Sequence, residues 1–176
     1  PSLGAGEDMA GKTRYLIPIG GNELKSLDSA IFREMVRLGG GSRARIVVIP
    51  TASAIPEDRA RVYTEVFQSF NPAALDILMI DQRAEASDKE VLKIVGDCTA
   101  VMFAGGDQLR LSSILGGTPL HRALLEKYQN GCVVAGTSAG AAAMSEIMIF
   151  QNNRFRSHRK GGLEITQGLG FIKGVV

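Results

Sequence analysis

Val133-Val134-Ala135-Gly136-Thr137-Ser138-Ala139-Gly140-Ala141 is an apolar run that ends in glycine, presents one hydroxyl and continues in small residues. Gly136-x-Ser138-x-Gly140 has the spacing of a nucleophile elbow, in which a strand turns sharply into a helix and holds the serine Oγ at the tip. Only small neighbours leave room for that turn and for a substrate carbonyl. The Ala139 N–H, at the start of the following helix, then points at a developing oxyanion. The same residues also suit a Gly/Ala-rich helix start with Ser138 as its cap. The rest of the chain has to decide between the two.

Upstream, four more apolar runs alternate with helical patterns. Tyr15 to Ile19 predicts a buried strand ended by Gly20-Gly21. Leu24, Leu27, Ile31, Met35 and Leu38 recur at helical spacing until Gly39-Gly40-Gly41 stops them. Ile46 to Ile49 is β-branched throughout and closed by Pro50, which predicts a central strand. Pro56 suits the first turn of a helix carrying Val62, Val66 and Phe70. Leu75 to Ile80 predicts a third strand, and Ser87-Asp88-Lys89-Glu90 a capping box before Val91, Leu92 and Val95. Thr99 to Ala104 is a fourth strand, followed by Gly105-Gly106 and a short helix over Asp107 to Leu115. Thr118-Pro119 starts a helix that Gly131 ends, and Cys132 to Ala135 runs as the fifth strand into Ser138. Strands alternating with helices at this spacing imply βαβ units, a parallel sheet and helices on both faces. Ligands of such sheets bind beyond the carboxyl ends of the strands. Four of those ends carry small or polar residues: Gly20 to Glu23, Pro50 to Ser53, Gly105 to Gln108 and Gly136 to Ser138. Their convergence on one rim is the argument for a single site.

Composition narrows the function classes. The 176 residues suit one α/β domain over 14–176 behind a loose segment over 1–13, and 45% hydrophobic content supplies a core. A net charge of +2, from 20 basic and 18 acidic residues, is too balanced to argue for nucleic acid or an anionic membrane. No run reaches the length of a membrane span. Cys98 and Cys132 lie in or beside apolar runs and read as buried free thiols. Two isolated histidines and two distant cysteines make no metal site, and no Gly-Gly pair has dinucleotide-binding spacing, so no cofactor is expected. After Met148 the chain reads as a loop-rich excursion, basic at Arg154, Arg156, Arg159 and Lys160 and then rich in glycine. Val175-Val176 reads as the first residues of a further strand, so the domain is expected to be incomplete at its C-terminal end.

Taken together, Gly20-Gly21-Asn22-Glu23, Ile49-Pro50-Thr51-Ala52-Ser53, Gly105-Gly106-Asp107-Gln108-Leu109, Gly136-Thr137-Ser138-Ala139-Gly140-Ala141 and Gly168-Leu169-Gly170-Phe171 resemble, in this order, the cyanophycinase group of the serine peptidases of family S51. The resemblance runs from Tyr15 to Val176. It implies a flavodoxin-like or class I glutamine-amidotransferase-like fold. It also implies hydrolysis of cyanophycin, a poly-aspartate backbone with arginine on each β-carboxyl, to β-Asp-Arg dipeptides. Ser138 matches the family nucleophile, Ala139 supplies one oxyanion N–H, and Gly106 and Asp107 sit where the second arises. Gln108 matches a substrate-contacting glutamine, and a neutral amide holds a peptide without disturbing neighbouring charges. Glu23 and Lys25 fit a Gly-Gly-x-Glu-x-Lys pattern, with a helix-capping role for Glu23 an equal alternative.

The resemblance places the base histidine in an Asp-x-His-Phe segment that follows the stretch matching Gly168 to Val176. The expected base therefore comes from beyond Val176, in the same chain or in a complementary one. His158 follows Ser138 in chain order, as an elbow fold requires, while His121 reads as packing on its helix. The basic loop reads either as solvated charge or, through Arg156 and Arg159, as a contact to substrate carboxylates. The alternatives are a non-catalytic fragment that binds acidic peptides, an aspartyl dipeptidase of the peptidase E type, and a general esterase. A cytoplasmic homodimer acting on a peptide, with no nucleic-acid or membrane partner, completes the expectation.

Overall fold

β-branched and aliphatic runs buried on both sides settle into a parallel sheet, because helices crossing over each face leave no solvated side. A computed structural model describes residues 12–150 and 164–175. Its sheet holds β1 (Leu16–Ile19), β2 (Arg45–Ile49), β3 (Ala74–Ile77), β4 (Ala100–Phe103) and β5 (Val133–Thr137) in the order β1-β5-β4-β2-β3, every pair parallel. Alternate residues of each strand serve opposite faces. Ile46, Val48, Ala100, Met102, Val133 and Ala135 pack beneath α1 (Ala30–Leu38) and α2 (Pro56–Gln68). Val47, Ile49, Val101, Phe103 and Val134 face α3 (Lys89–Asp97), α4 (Gln108–Leu115), α5 (Pro119–Gln129) and α6 (Ala139–Ala142). The α/β architecture of the sequence reading is the one observed. No described helix is long and apolar enough to cross a membrane, and Cys98 and Cys132 are free, buried thiols.

This winding determines where a ligand can enter. After β1 and β2 the chain leaves for the face of α1 and α2, whereas after β4 and β5 it leaves for the other. The neighbouring pairs β1/β5 and β2/β4 therefore part at their carboxyl ends and open a crevice between them.

Four local expectations give way. The helix expected from Leu24 starts only at Ala30, where the Ser29 Oγ accepts from the Phe32 N–H. Positive φ at Gly21 (105°) and Asn22 (54°) turns the preceding stretch away from helix, and Leu24 and Leu27 stay exposed. The face that α1 buries is Phe32, Met35 and Val36, with Ile31 outside. Asp88, and not Ser87, caps α3: its Oδ1 accepts from the N–H groups of Glu90 at 2.7 Å and Val91 at 3.3 Å. β3 ends at Ile77, although Leu78 and Ile80 beyond it stay in the core. The expected loop after Met148 contains paired strands instead, β6 (Ile147–Phe150) and β7 (Glu164–Gln167), antiparallel with Ile149 opposite Ile165. Arg156, Arg159 and His158 lie outside the described residues, as does Val176, and Val175 is exposed and in no strand.

Candidate active site

Ser138 caps the sharp turn between β5 and α6 with φ 51° and ψ −113°. This conformation costs a non-glycine residue about 1–3 kcal/mol and persists only where its surroundings impose it. The surroundings are explicit. The Ser138 N–H donates to the Ile19 carbonyl of β1 at 2.8 Å, and the Ser138 carbonyl accepts from Ala141 at 3.0 Å and Ala142 at 2.9 Å. Gly140 lets α6 lie directly on the end of β4: a Cβ there would come within 2.5 Å of the Phe103 carbonyl oxygen. Thr137 and Ala139 are buried on either side of Ser138, which is itself exposed.

The four strand ends do meet. A cavity of about 460 Å³ is walled by Gly21, Asn22, Glu23 and Lys25 after β1, by Ser53 to Ile55 after β2, by Gly105 and Gly106 after β4, and by Thr137 and Ser138. Arg59 and Tyr63 close it from α2. The β2 corner is held from behind: the Thr51 Oγ donates to the Ile80 carbonyl at 2.8 Å, and the Arg110 Nε donates to the Thr51 carbonyl at 2.8 Å. At Gly106, φ is 152°, and a Cβ would collide with the Ala52 carbonyl oxygen. That approach brings the β4 turn against the β2 corner beside Ser138.

Asp107 is engaged on both its N–H and its carboxylate. Its N–H donates to the Ala52 carbonyl at 2.8 Å, and its Oδ1 caps α4 by accepting from Leu109 at 2.8 Å and Arg110 at 3.1 Å. With that N–H spent, the turn has Gly106 to offer an oxyanion. Among the described residues the N–H groups of Gly106 and Ala139 meet no backbone acceptor. Gln108 is held from β6, its Nε2 donating to the Ile149 carbonyl at 3.1 Å.

Glu23 is the residue whose weight sequence reasoning underestimates. It caps no helix. Its side chain is 1% exposed and forms an ion pair with Lys25 at 2.9 Å. It also accepts from the Thr137 hydroxyl at 2.6 Å and the Tyr63 hydroxyl at 3.1 Å. Burial by itself pushes this carboxyl up, but the hydrogen bonds from Thr137 and Lys25 and the lysine's charge together hold it below the usual carboxylate range. Burial, then the neighbouring carboxylate, pushes the Tyr63 phenol up, so it stays protonated and donates. An ionised Glu23 thus ties β1, α2 and the residue before Ser138 into one unit. The Gly-Gly-x-Glu-x-Lys pattern is the signal that marks it.

His121 is committed to structure. Its Nδ1 accepts from the Gly117 N–H at 2.9 Å, which leaves Nε2 to donate to the Leu169 carbonyl at 2.7 Å. It lines a second hollow with Arg83 and Gln167. Among the described residues no histidine is therefore left to serve Ser138, and no group of potential metal ligands is found.

The sequence model of Peptidase family S51 matches residues 16–176. The chain belongs to peptidase family S51. It is 34% identical over 168 residues to a cyanophycinase of Synechococcus elongatus, covering 95% of this chain and 52% of that protein. It is 34% identical over 162 residues to a cyanophycinase of Geminocystis herdmanii, covering 92% and 60%. A peptidase from an acI-B1 actinobacterium superposes with a TM-score of 0.72 at 25% identity, over 92% of this chain and 66% of that one. A putative peptidase E from Listeria monocytogenes shares the fold, with a TM-score of 0.64 at 18% identity over 90% and 75% of the two chains. The chain spans about half the length of the Synechococcus cyanophycinase it matches. The family S51 relationship covers every strand end of the cleft.

Proposed function

We propose that the complete protein is a serine-type exopeptidase of the cyanophycinase kind, releasing β-Asp-Arg dipeptides through an acyl-enzyme on Ser138. The observation that carries this reading is the exposed Ser138, held at φ 51° between buried neighbours at the floor of a cleft. The cyanophycinases to which the chain is 34% identical support the substrate.

The steps follow from the cleft. The Ser138 Oγ bonds to the scissile carbonyl carbon as a base takes its proton, and the carbonyl oxygen gains the negative charge. The N–H groups of Gly106 and Ala139 donate to that oxygen, a contribution of several kcal/mol in a preorganised site. Collapse expels the amine, which takes the proton from the base, and water then releases the acyl group by the same path. The base comes from outside the described residues, since serine is a poor nucleophile without one. In the same reading Gln108 meets the substrate with its carbonyl oxygen, and Arg156 and Arg159 hold free carboxylates of the substrate.

The test is Ser138→Ala in the complete protein. Dipeptide release is expected to fall by a factor of about 10³ or more, with the fold intact by circular dichroism. Unchanged release overturns the proposal. A second reading, binding of acidic peptides without cleavage, is favoured by the engagement of His121 away from the cleft. Peptide binding by a wild-type protein that shows no turnover would establish it.

A further inference from the structure

The charges around Ser138 do not balance. The cleft is lined by one carboxylate, Glu23, and two cations, Lys25 and Arg59. Glu23 and Lys25 neutralise each other at 2.9 Å, with the Glu23 side chain 1% exposed. Tyr63 spends its hydroxyl hydrogen on the same carboxylate. Arg59 is left over. Its backbone is fixed in the first turns of α2, where its N–H donates to the Ile55 carbonyl at 3.2 Å, and its side chain is half-buried. Among the described residues its guanidinium meets no carboxylate, whereas Arg61 on the same helix pairs with Asp58 at 2.6 Å. Arg59 lines the cleft beside Tyr63, close enough for its charge to act on the phenol.

An uncompensated guanidinium in a concave, partly dehydrated site attracts an anion, and its planar fork fits a carboxylate with two parallel hydrogen bonds. We propose that Arg59 is the specificity residue of this cleft, holding a free carboxylate of the substrate beside the bond that Ser138 attacks. The inference rests on the Ser138 reading for which bond lies nearby. It adds that the cleft prefers peptides with a free carboxylate close to the scissile bond over the same peptides amidated.

The experiment measures binding without turnover, in the Ser138→Ala background of the complete protein. The probes are β-Asp-Arg and its fully amidated form, titrated by isothermal calorimetry. The free acid is expected to bind about 10-fold tighter or better than the amide, as befits one charge-assisted hydrogen-bonding pair. Arg59→Gln is expected to abolish that preference by weakening the acid and sparing the amide, and Arg59→Lys to retain part of it. Thermal melts of both variants check the fold. Equal affinities of acid and amide, a preference that survives Arg59→Gln, or no binding of the dipeptide at all overturns the inference. Absence of dipeptide release by the wild-type protein, with the acid preference present, overturns the peptidase reading and leaves the Arg59 site standing.

Discussion

The two ends of the parallel sheet share the same strands and differ in how the chain leaves them. At the amino ends neighbouring strand starts hold one another. The buried thiols of Cys98 and Cys132 lie 3.7 Å apart, and the Thr99 hydroxyl oxygen accepts from the Arg45 N–H at 2.9 Å. At the carboxyl ends Ser138 sits at φ 51° and Gly106 at φ 152°, and a buried carboxylate holds Thr137. The same apolar ladder thus serves as a plain foundation at one end and as a clamp at the other. Strain of this kind survives only over a rigid base. Substitutions at the carboxyl ends should therefore disturb chemistry out of proportion to stability, and substitutions at the amino ends the reverse.

The largest effect expected from that contrast is at Gly106. Gly106→Ala drives a methyl into the Ala52 carbonyl, and the turn has to move. A stability loss of about 2–4 kcal/mol is expected, together with loss of dipeptide release. Denaturant melts and turnover of the complete protein check both. Normal turnover would remove the β4 turn from the site.

Glu23→Gln ranks next. It removes the partner of Lys25 and turns one acceptor facing Thr137 or Tyr63 into a donor. The expected loss is about 1–3 kcal/mol, with turnover reduced although Glu23 touches no reacting atom. The pH dependence carries a sign. Because the folded carboxyl is held below its ordinary value, its contribution is full above the unfolded value of about 4.3. It is lost as pH falls through the lower folded value. The gap in Tm between wild type and Glu23→Gln should stay level from about pH 8 to 5 and close in stronger acid. A gap that widens in acid would mean that Glu23 is buried neutral.

The smallest effect is expected at the other end. Cys98→Ala removes one buried sulfur far from the cleft and should cost about 1 kcal/mol with kcat unchanged. A kcat that falls with Cys98 would dissolve the contrast between the two ends.

The same contrast explains what was legible in the sequence. β2, β4 and β5 are covered on both faces, and continuous burial writes itself as continuous apolar runs. Ser138 and the glycines at the strand ends are legible because backbone geometry restricts which residues can stand there. Glu23 is marked by its Gly-Gly-x-Glu-x-Lys pattern, but its role is not legible, because that depends on Thr137 and Tyr63, 114 and 40 positions away. The α1 boundary is misleading for a related reason. Leu24 and Leu27 keep a helical spacing while the backbone is committed to delivering Glu23 to the cleft. The N–H of Asp107 is another case: whether it is free depends on the Ala52 carbonyl, which no local pattern reports. β6 and β7 are short and half exposed, so neither burial nor alternation marks them strongly.

Ser138 is proposed to carry the acyl group. The complete protein, mixed with cyanophycin and quenched in acid within one turnover, should yield a Ser138-containing peptide heavier by the acyl fragment. Ser138→Ala should yield neither that adduct nor dipeptide. An adduct on another residue, or dipeptide release that persists in Ser138→Ala, would rule out Ser138 as the nucleophile.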